Sequence, residues 1–296
     1  MSLSHDPLWP RAGDWPAAHT VPGSLDAAVI GIPTHLTSLS ATRAGETPAA
    51  VRDAVRRYSP VFVIDGRPHD VSTLTVADGG DVIAPDGHGE DAATRAVAEL
   101  AARAGLVIAI GGDNAATVPV ARGAAATGLI TLDAHHDLRD GVSNGSPVRR
   151  LLEDGSGLDG SRTVQIGIAD FANSSAYLHR ALDLGITVIT RDDVRRRGAH
   201  DVMAEALEIA GAGDGRVHLD IDVDVCDRSV APACPASVPG GLQAWELRAL
   251  VRQAGADRRV VGADIVEVDA SADAPDGRTV RLAALCVLEL LAGRTA

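Results

Sequence analysis

Short apolar runs punctuate the chain at intervals wide enough for a helix between most of them. They are Leu25–Pro33, Val71–Ala77, Leu106–Ile110, Leu129–Leu132, Thr163–Ile168, Ile186–Thr190, Arg216–Val225 and Val260–Val268. Between many of them lie stretches of Ala, Leu, Arg and Glu with helical spacing: Asp91–Gly105, Met203–Ala212 and Gln243–Ala254, with a last helix over Thr279–Leu291. This alternation predicts an α/β fold: a mostly parallel sheet covered by helices on both faces. No internal repeat, low-complexity block or long linker interrupts it. The expectation is one domain over residues 1–296, with 1–24 as an N-terminal extension. In such sheets, ligands sit beyond the carboxyl ends of the strands. The polar motifs fall there: Gly111-Gly112-Asp113-Asn114, Asp133-Ala134-His135-His136-Asp137 and Glu267.

The segment Arg216–Asp227 reads RVHLDIDVDVCD. Its odd positions from Val217 to Val225 are apolar, while Asp220, Asp222 and Asp224 occupy even ones. A strand would carry these three carboxylates on one face, neighbours roughly 6–7 Å apart. Like charges buried together cost several kcal/mol unless neutralised, and a bound cation neutralises them. The plainer alternative is an edge strand whose acidic face looks at water. Asp133, His135 and Asp137 also recur with period two, where a strand runs into a loop. Carboxylates with imidazole form a ligand set for a first-row divalent ion, and the oxygen-rich mixture favours manganese over zinc. The glycines before Asn114 are weak evidence by themselves. Glu267, within Ile-Val-Glu-Val-Asp, is either a surface glutamate or a carboxylate able to hold an amidinium by paired hydrogen bonds.

Composition narrows the chemistry. The formal charge of −13 argues against nucleic acid and anionic membranes as partners, because phosphate binding needs clustered Lys and Arg. The sequence has no lysine, which excludes a Walker-type phosphate loop and a pyridoxal Schiff base. Aromatic residues are scarce, so the core must be built from Ala, Val, Leu and Ile. The opening MSLSHDPLWPRAGDWP lacks the features of a secretory signal, and no apolar run approaches the ~20 residues of a membrane span. Cys226, Cys234 and Cys286 are odd in number and widely spaced, as expected for reduced thiols in a cytoplasmic protein.

Taken together, these motifs resemble the ureohydrolases, the family of arginase, agmatinase and formimidoylglutamase. Its pattern of GGDH, DAHxD, SxDxDxxDP and a late Glu-Val corresponds here to GGDN (111–114), DAHHD (133–137), DIDVDVCDR (220–228) and EV (267–268). Thr42-Arg43-Ala44-Gly45, Pro48 and Arg52 resemble the family's arginine–glycine–proline segment, and Asp78–Val82 its DxGDV turn. The resemblance implies a three-layer α/β/α sandwich with an eight-stranded, mostly parallel sheet. It implies two Mn2+ sites bridged by Asp133 and Asp222. His135 and Asp224 would complete one, Asn114 and Asp137 the other. It further implies that Asp137 accepts a hydrogen bond from the attacking water and that Glu267 orients an amidine-bearing substrate.

Four positions depart from the pattern. Asn114 stands at a usual histidine ligand, so that site is expected to be weak or empty. Asn144 stands where arginases carry a histidine, which makes it a substrate-binding candidate. Asp220 replaces a serine and Arg228 a proline. The opening Asp6–Arg11, GGDN and Asn144 look like the formimidoylglutamases of histidine breakdown, which convert N-formimidoyl-L-glutamate to glutamate and formamide. Arg139, with Arg149 and Arg43, is a candidate to meet the substrate carboxylates. The alternatives are an agmatinase or guanidinobutyrase releasing urea, and a non-catalytic member with a degraded metal site. The family commonly forms trimers or hexamers, so a homo-oligomer is expected.

Overall fold

The computed structural model describes residues 6–155, 157–213 and 215–295. The first five residues of the expected N-terminal extension lie outside this set. The described strands are β1 (Ala27–Ile32), β2 (Val61–Ile64), β3 (Arg67–Asp70), β4 (Val76–Asp81), β5 (Val107–Gly111), β6 (Gly128–Leu132), β7 (Thr163–Ile168), β8 (Thr187–Thr190), β9 (Val217–Asp222) and β10 (Val260–Val266). Eight of them make one sheet in the order β4-β1-β5-β10-β9-β6-β7-β8, and every pair in it is parallel. Each predicted apolar run contributes one strand to it.

The helices are α1 (Thr47–Val55), α2 (Glu90–Ala101), α3 (Thr117–Gly123), α4 (Pro147–Glu153), α5 (Ser175–Asp183), α6 (Arg191–Arg197), α7 (Ala199–Ala210), α8 (Ala244–Ala256) and α9 (Arg278–Arg294). Val217, Leu219 and Ile221 of β9 pack in one apolar cluster with Met203 of α7, Leu250 of α8 and Val287 of α9. On the opposite face, Leu129 of β6 joins Val118 of α3 and Val148 of α4. Helices therefore cover both faces, giving the three layers of the expected sandwich.

Three local expectations change. Val71–Ala77 is a 3-10 turn over Val71–Thr73 followed by β4, which extends through Asp78-Gly79-Gly80-Asp81. Those residues are the last four of an edge strand, and Arg52 of α1 donates to both carboxylate oxygens of Asp78 at 2.7 and 2.9 Å. The antiparallel hairpin of β2 and β3 was not expected. Its signal is the Asp65-Gly66 pair after an apolar run, and both residues have the positive φ that such turns require.

The third change concerns β9. It lies in the middle of the sheet and is buried along its whole length, which removes the water-facing edge alternative. The strand stops at Asp222, and Asp224 sits in a 3-10 turn. The cause is local: the Asp222 carboxylate accepts the Asp224 backbone N–H at 2.8 Å and draws the chain out of the ladder. Asp220 stays in the strand, paired in register with Thr131 of β6 and Asp264 of β10, one level below the strand ends. Asp264 in turn meets His218 Nε2 at 3.2 Å.

Candidate metal centre

The adjacent strands β5, β10, β9 and β6 bring their carboxyl ends to one point, and seven polar side chains of the sequence motifs converge there. Asp133 directly follows β6 and is fully buried; its Oδ1 accepts the His135 N–H at 2.6 Å, which folds the DAHHD loop back on itself. That turn brings His135 Nδ1 to 3.0 Å from Asp224 Oδ2 and 3.4 Å from Asp133 Oδ1. Asp137 and Glu267 both adopt left-handed backbone conformations, at φ 51° and 62°. For residues with a Cβ this costs about 1 kcal/mol or more each, and it turns both carboxylates toward the shared point. Gly112 lets the β5 loop approach closely, because a Cβ there would lie 2.0 Å from the Thr34 carbonyl oxygen.

Two groups of possible ligand atoms result, Asp133–His135–Asp224 and Asp133–Asp137–Asp222, each with its atoms within 4.8 Å of one another. Asp133 belongs to both, whereas Asp222, expected to bridge with it, belongs to the second alone. Asn114 meets the second group through its amide nitrogen, 2.6 Å from Asp137 Oδ2 and 3.3 Å from Asp222 Oδ2, while its Oδ1 accepts from the Thr117 hydroxyl. Ligation through Oδ1 would require the amide to turn over. His136 faces elsewhere, bonded to Gln165 at 2.6 Å.

Burial pushes Asp133 up to about 6, with the Asp224 charge adding to it. Burial and the Asp133 charge raise Asp137 well above the usual carboxylate range, and burial and Asp224 do the same to Asp222. Burial also disfavours a charged His135, yet the Asp224 and Asp133 carboxylates outweigh it and push the imidazole up to about 12. For Asp224 the balance is opposite: despite burial, the His135 charge and hydrogen bond hold it below its ordinary value. Burial raises Glu267 to about 8 against the bond from Asn144. Carboxylates buried this close together repel one another, and a cation among them would offset that repulsion.

The residues fit divalent metal ions. The donor set is hard oxygen with a single imidazole, and Asp133 Oδ2 is buried without any hydrogen-bond partner. A cleft of about 440 Å3 opens onto the groups, lined by His135, Asp137, Asp222, Asp224, Asn144 and Glu267 among others. Arg139 also lines it. The other two arginine candidates do not: Arg149 donates to the Arg139 carbonyl at 2.6 Å, and Arg43 pairs with Glu46 in a separate surface hollow. Sequence reasoning missed Asn173 and Tyr177 on the cleft wall. Asn173 holds the DAHHD loop by accepting the His136 N–H at 3.0 Å and donating to the Ala134 carbonyl at 2.9 Å. The available signal was the Asn-Ser-Ser start of α5, where Ser174 caps the helix.

A parallel eight-stranded sheet with this cluster at its carboxyl edge defines a class of enzymes, and residues 25–293 match the Arginase family. The chain belongs to that family, whose members hydrolyse C–N bonds in amidine-type groups. Within it, the chain is 34% identical to a formimidoylglutamase of Halalkalibacterium halodurans over 90% of this chain and 86% of the relative. The crystal structure of formimidoylglutamase from Bacillus subtilis superposes with a TM-score of 0.90 at 30% identity, covering 99% of this chain and 94% of the other. A Trypanosoma cruzi formiminoglutamase, whose structure contains Mn2+, gives a TM-score of 0.81 at 26% identity over 91% and 93% of the two chains. Among the described residues, no helix is long and apolar enough to cross a membrane.

Proposed function

We propose that this hydrolase converts N-formimidoyl-L-glutamate and water to L-glutamate and formamide. The carrying observation is a cleft that joins two ligand groups sharing Asp133 to Glu267 and to the arginine on its wall, Arg139. Asp133, His135 and Asp224 would hold one Mn2+, and Asp133, Asp137 and Asp222 the other, with Asn114 a poor substitute for imidazole beside the second. Such ions, when bound, supply acidified water, lowering its pKa from 15.7 towards ~7.

The protein's own groups do the rest. Glu267, lining the cleft, receives an N–H of the planar amidine at one carboxylate oxygen and holds its carbon over the shared point of the two groups. Asp137 accepts the hydrogen bond of the attacking water and orients its lone pair at that carbon. The C–N bond to the glutamate nitrogen then breaks, and the proton accepted at Asp137 passes to the departing amine. Arg139 gives a positively charged partner to a substrate carboxylate in an otherwise acidic cleft.

The test is incubation of the manganese-loaded protein with a panel of amidines and guanidines, scoring formamide, urea and ammonia separately. Formamide from N-formimidoyl-L-glutamate is the expected product. Urea from a guanidine with no formamide from any amidine would select the guanidine hydrolase instead. No turnover on the whole panel at full metal occupancy would leave a non-catalytic family member.

A further inference from the structure

Asn144 sits between the floor of the cleft and its wall, and both ends of its amide are taken. Nδ2 donates to Glu267 Oε1 at 2.7 Å, and Oδ1 accepts the Leu39 backbone N–H at 2.9 Å. The two partners fix the amide's orientation, since the reverse placement would set its oxygen against a carboxylate and its N–H against an N–H. Glu267 Oε1 also accepts the Asn114 backbone N–H at 2.8 Å. That oxygen is therefore saturated, and Oε2 is the one left for a substrate N–H.

The residues joined to Asn144 through Leu39 form a long segment with few ties. Its start is held where Asp86 accepts the His35 and Leu36 N–H groups, and its end where Asp269 accepts the Thr42 hydroxyl and the Arg43 N–H. In between, the polar ties among the described residues run to Asn144: the Leu39 bond, and the Asn144 N–H to the Thr37 carbonyl at 3.3 Å. Leu39 is 58% exposed, yet Leu39 and Ser40 line the cleft. The next residue, Gly145, has no Cβ where one would lie 2.7 Å from Arg139 Cδ and 3.1 Å from Leu39 Cδ1. The wall and the arginine therefore meet over the Asn144-Gly145 pair.

We propose that Asn144 is a positioning residue that sets the Glu267 carboxylate and the Leu39–Ser40 wall as one unit, and thereby determines which tail beyond the amidine the cleft accepts. The inference rests on the amidine reading of the cleft. It gives Asn144 a role that needs no contact with substrate.

Asn144→Ala, Asn144→Asp and Leu39→Pro separate the two ends of the link. The first readout, amide hydrogen exchange at Leu39 in the metal-loaded enzyme, needs no substrate. Asn144→Ala should speed it about tenfold, because the N–H loses its acceptor, whereas Asn144→Asp keeps an oxygen for that N–H and loses only the donor to Glu267, so it should leave the exchange within about twofold. The second readout is steady-state kinetics on amidines with tails of graded length. Leu39→Pro, which frees the wall while Glu267 stays held, should raise KM for the glutamate-tailed substrate about tenfold and leave kcat within about twofold. Asn144→Ala should lower kcat as well and flatten the preference among tails. Unchanged exchange at Leu39 in Asn144→Ala, or a kcat loss in Leu39→Pro equal to that of Asn144→Ala, would overturn the proposal. Should no amidine be turned over, the substrate reading fails while the exchange result still decides the coupling.

Discussion

At the scale of single residues, the centre is asymmetric. Asp133 belongs to both ligand groups, whereas Asp224 belongs to the one with His135 and Asp222 to the one with Asp137. Asp133→Ala should therefore remove both ions and abolish turnover. Asp224→Ala and Asp222→Ala should each cost one ion first, read as manganese per chain by elemental analysis after dialysis. Full stoichiometry in Asp133→Ala would show that the ions, if any, bind elsewhere. Asn114 allows a gain-of-binding test. Its amide nitrogen already lies 2.6 Å from Asp137, so a histidine there replaces a hydrogen-bond donor by an imidazole ligand. Asn114→His should tighten the weaker ion about tenfold or more in a calorimetric titration, a range typical of added or lost ligand support. No change would place residue 114 outside the ligand shell.

At the scale of elements, β9 shows what alternation in a sequence encodes and what it does not. The apolar set Val217, Leu219 and Ile221 packs on one face as the pattern requires. The acidic set divides: Asp222 reaches the centre, Asp224 reaches it from a turn that the Asp222 carboxylate itself induces, and Asp220 stays behind in the sheet. A period-two pattern cannot mark where a strand ends, because the capping hydrogen bond that ends it involves the same residue type as the ligands. The hairpin of β2 and β3 had a local signal in Asp65-Gly66, but the wall of the cleft had none, because its two ends are held by Asp86 and Asp269, contacts between segments distant in sequence. Asp220 carries its own prediction. Burial, then the Asp264 charge, raise its carboxyl well above the ordinary range. An unfolded Asp220 is ionised at neutral pH while the folded one resists ionisation, so this residue destabilises the fold increasingly as pH rises. Asp220→Asn removes the titrating group at nearly constant volume. In metal-free protein it should raise the melting temperature more at pH 8 than at pH 5. A uniform shift across that range would show that packing, and not charge, governs the position.

At the scale of the molecule, the raised groups act together, and the sign of their effect can be worked out. Glu267 titrates at about 8 in the fold against 4.5 ordinarily, and Asp133 at about 6 against 3.8. His135, at about 12 against 6.5, likewise keeps its proton in the fold when the unfolded chain has released it. In each case the native state binds more protons, so stability falls with rising pH. The stabilising share of each group is complete below its ordinary value and lost as pH passes its folded one. Asp224 has the opposite sign, but its contribution changes only below about pH 4. The metal-free protein should therefore melt at steadily lower temperature from pH 5 to pH 8.5. The general charge of −13 pulls in the same direction, since self-repulsion grows above the isoelectric point of about 5.1. Salt separates the two causes: roughly 0.5 M screens surface repulsion but hardly reaches buried carboxylates, so the decline should persist. Manganese should then erase it. Ligands must shed their protons to bind an ion, so binding strengthens as pH rises and offsets the loss. Differential scanning fluorimetry of chelator-treated and manganese-loaded protein, each at low and high salt, reads all four cases. A decline that vanishes in salt and ignores manganese would assign the pH dependence to the surface and leave the buried carboxylates without the cation their geometry implies.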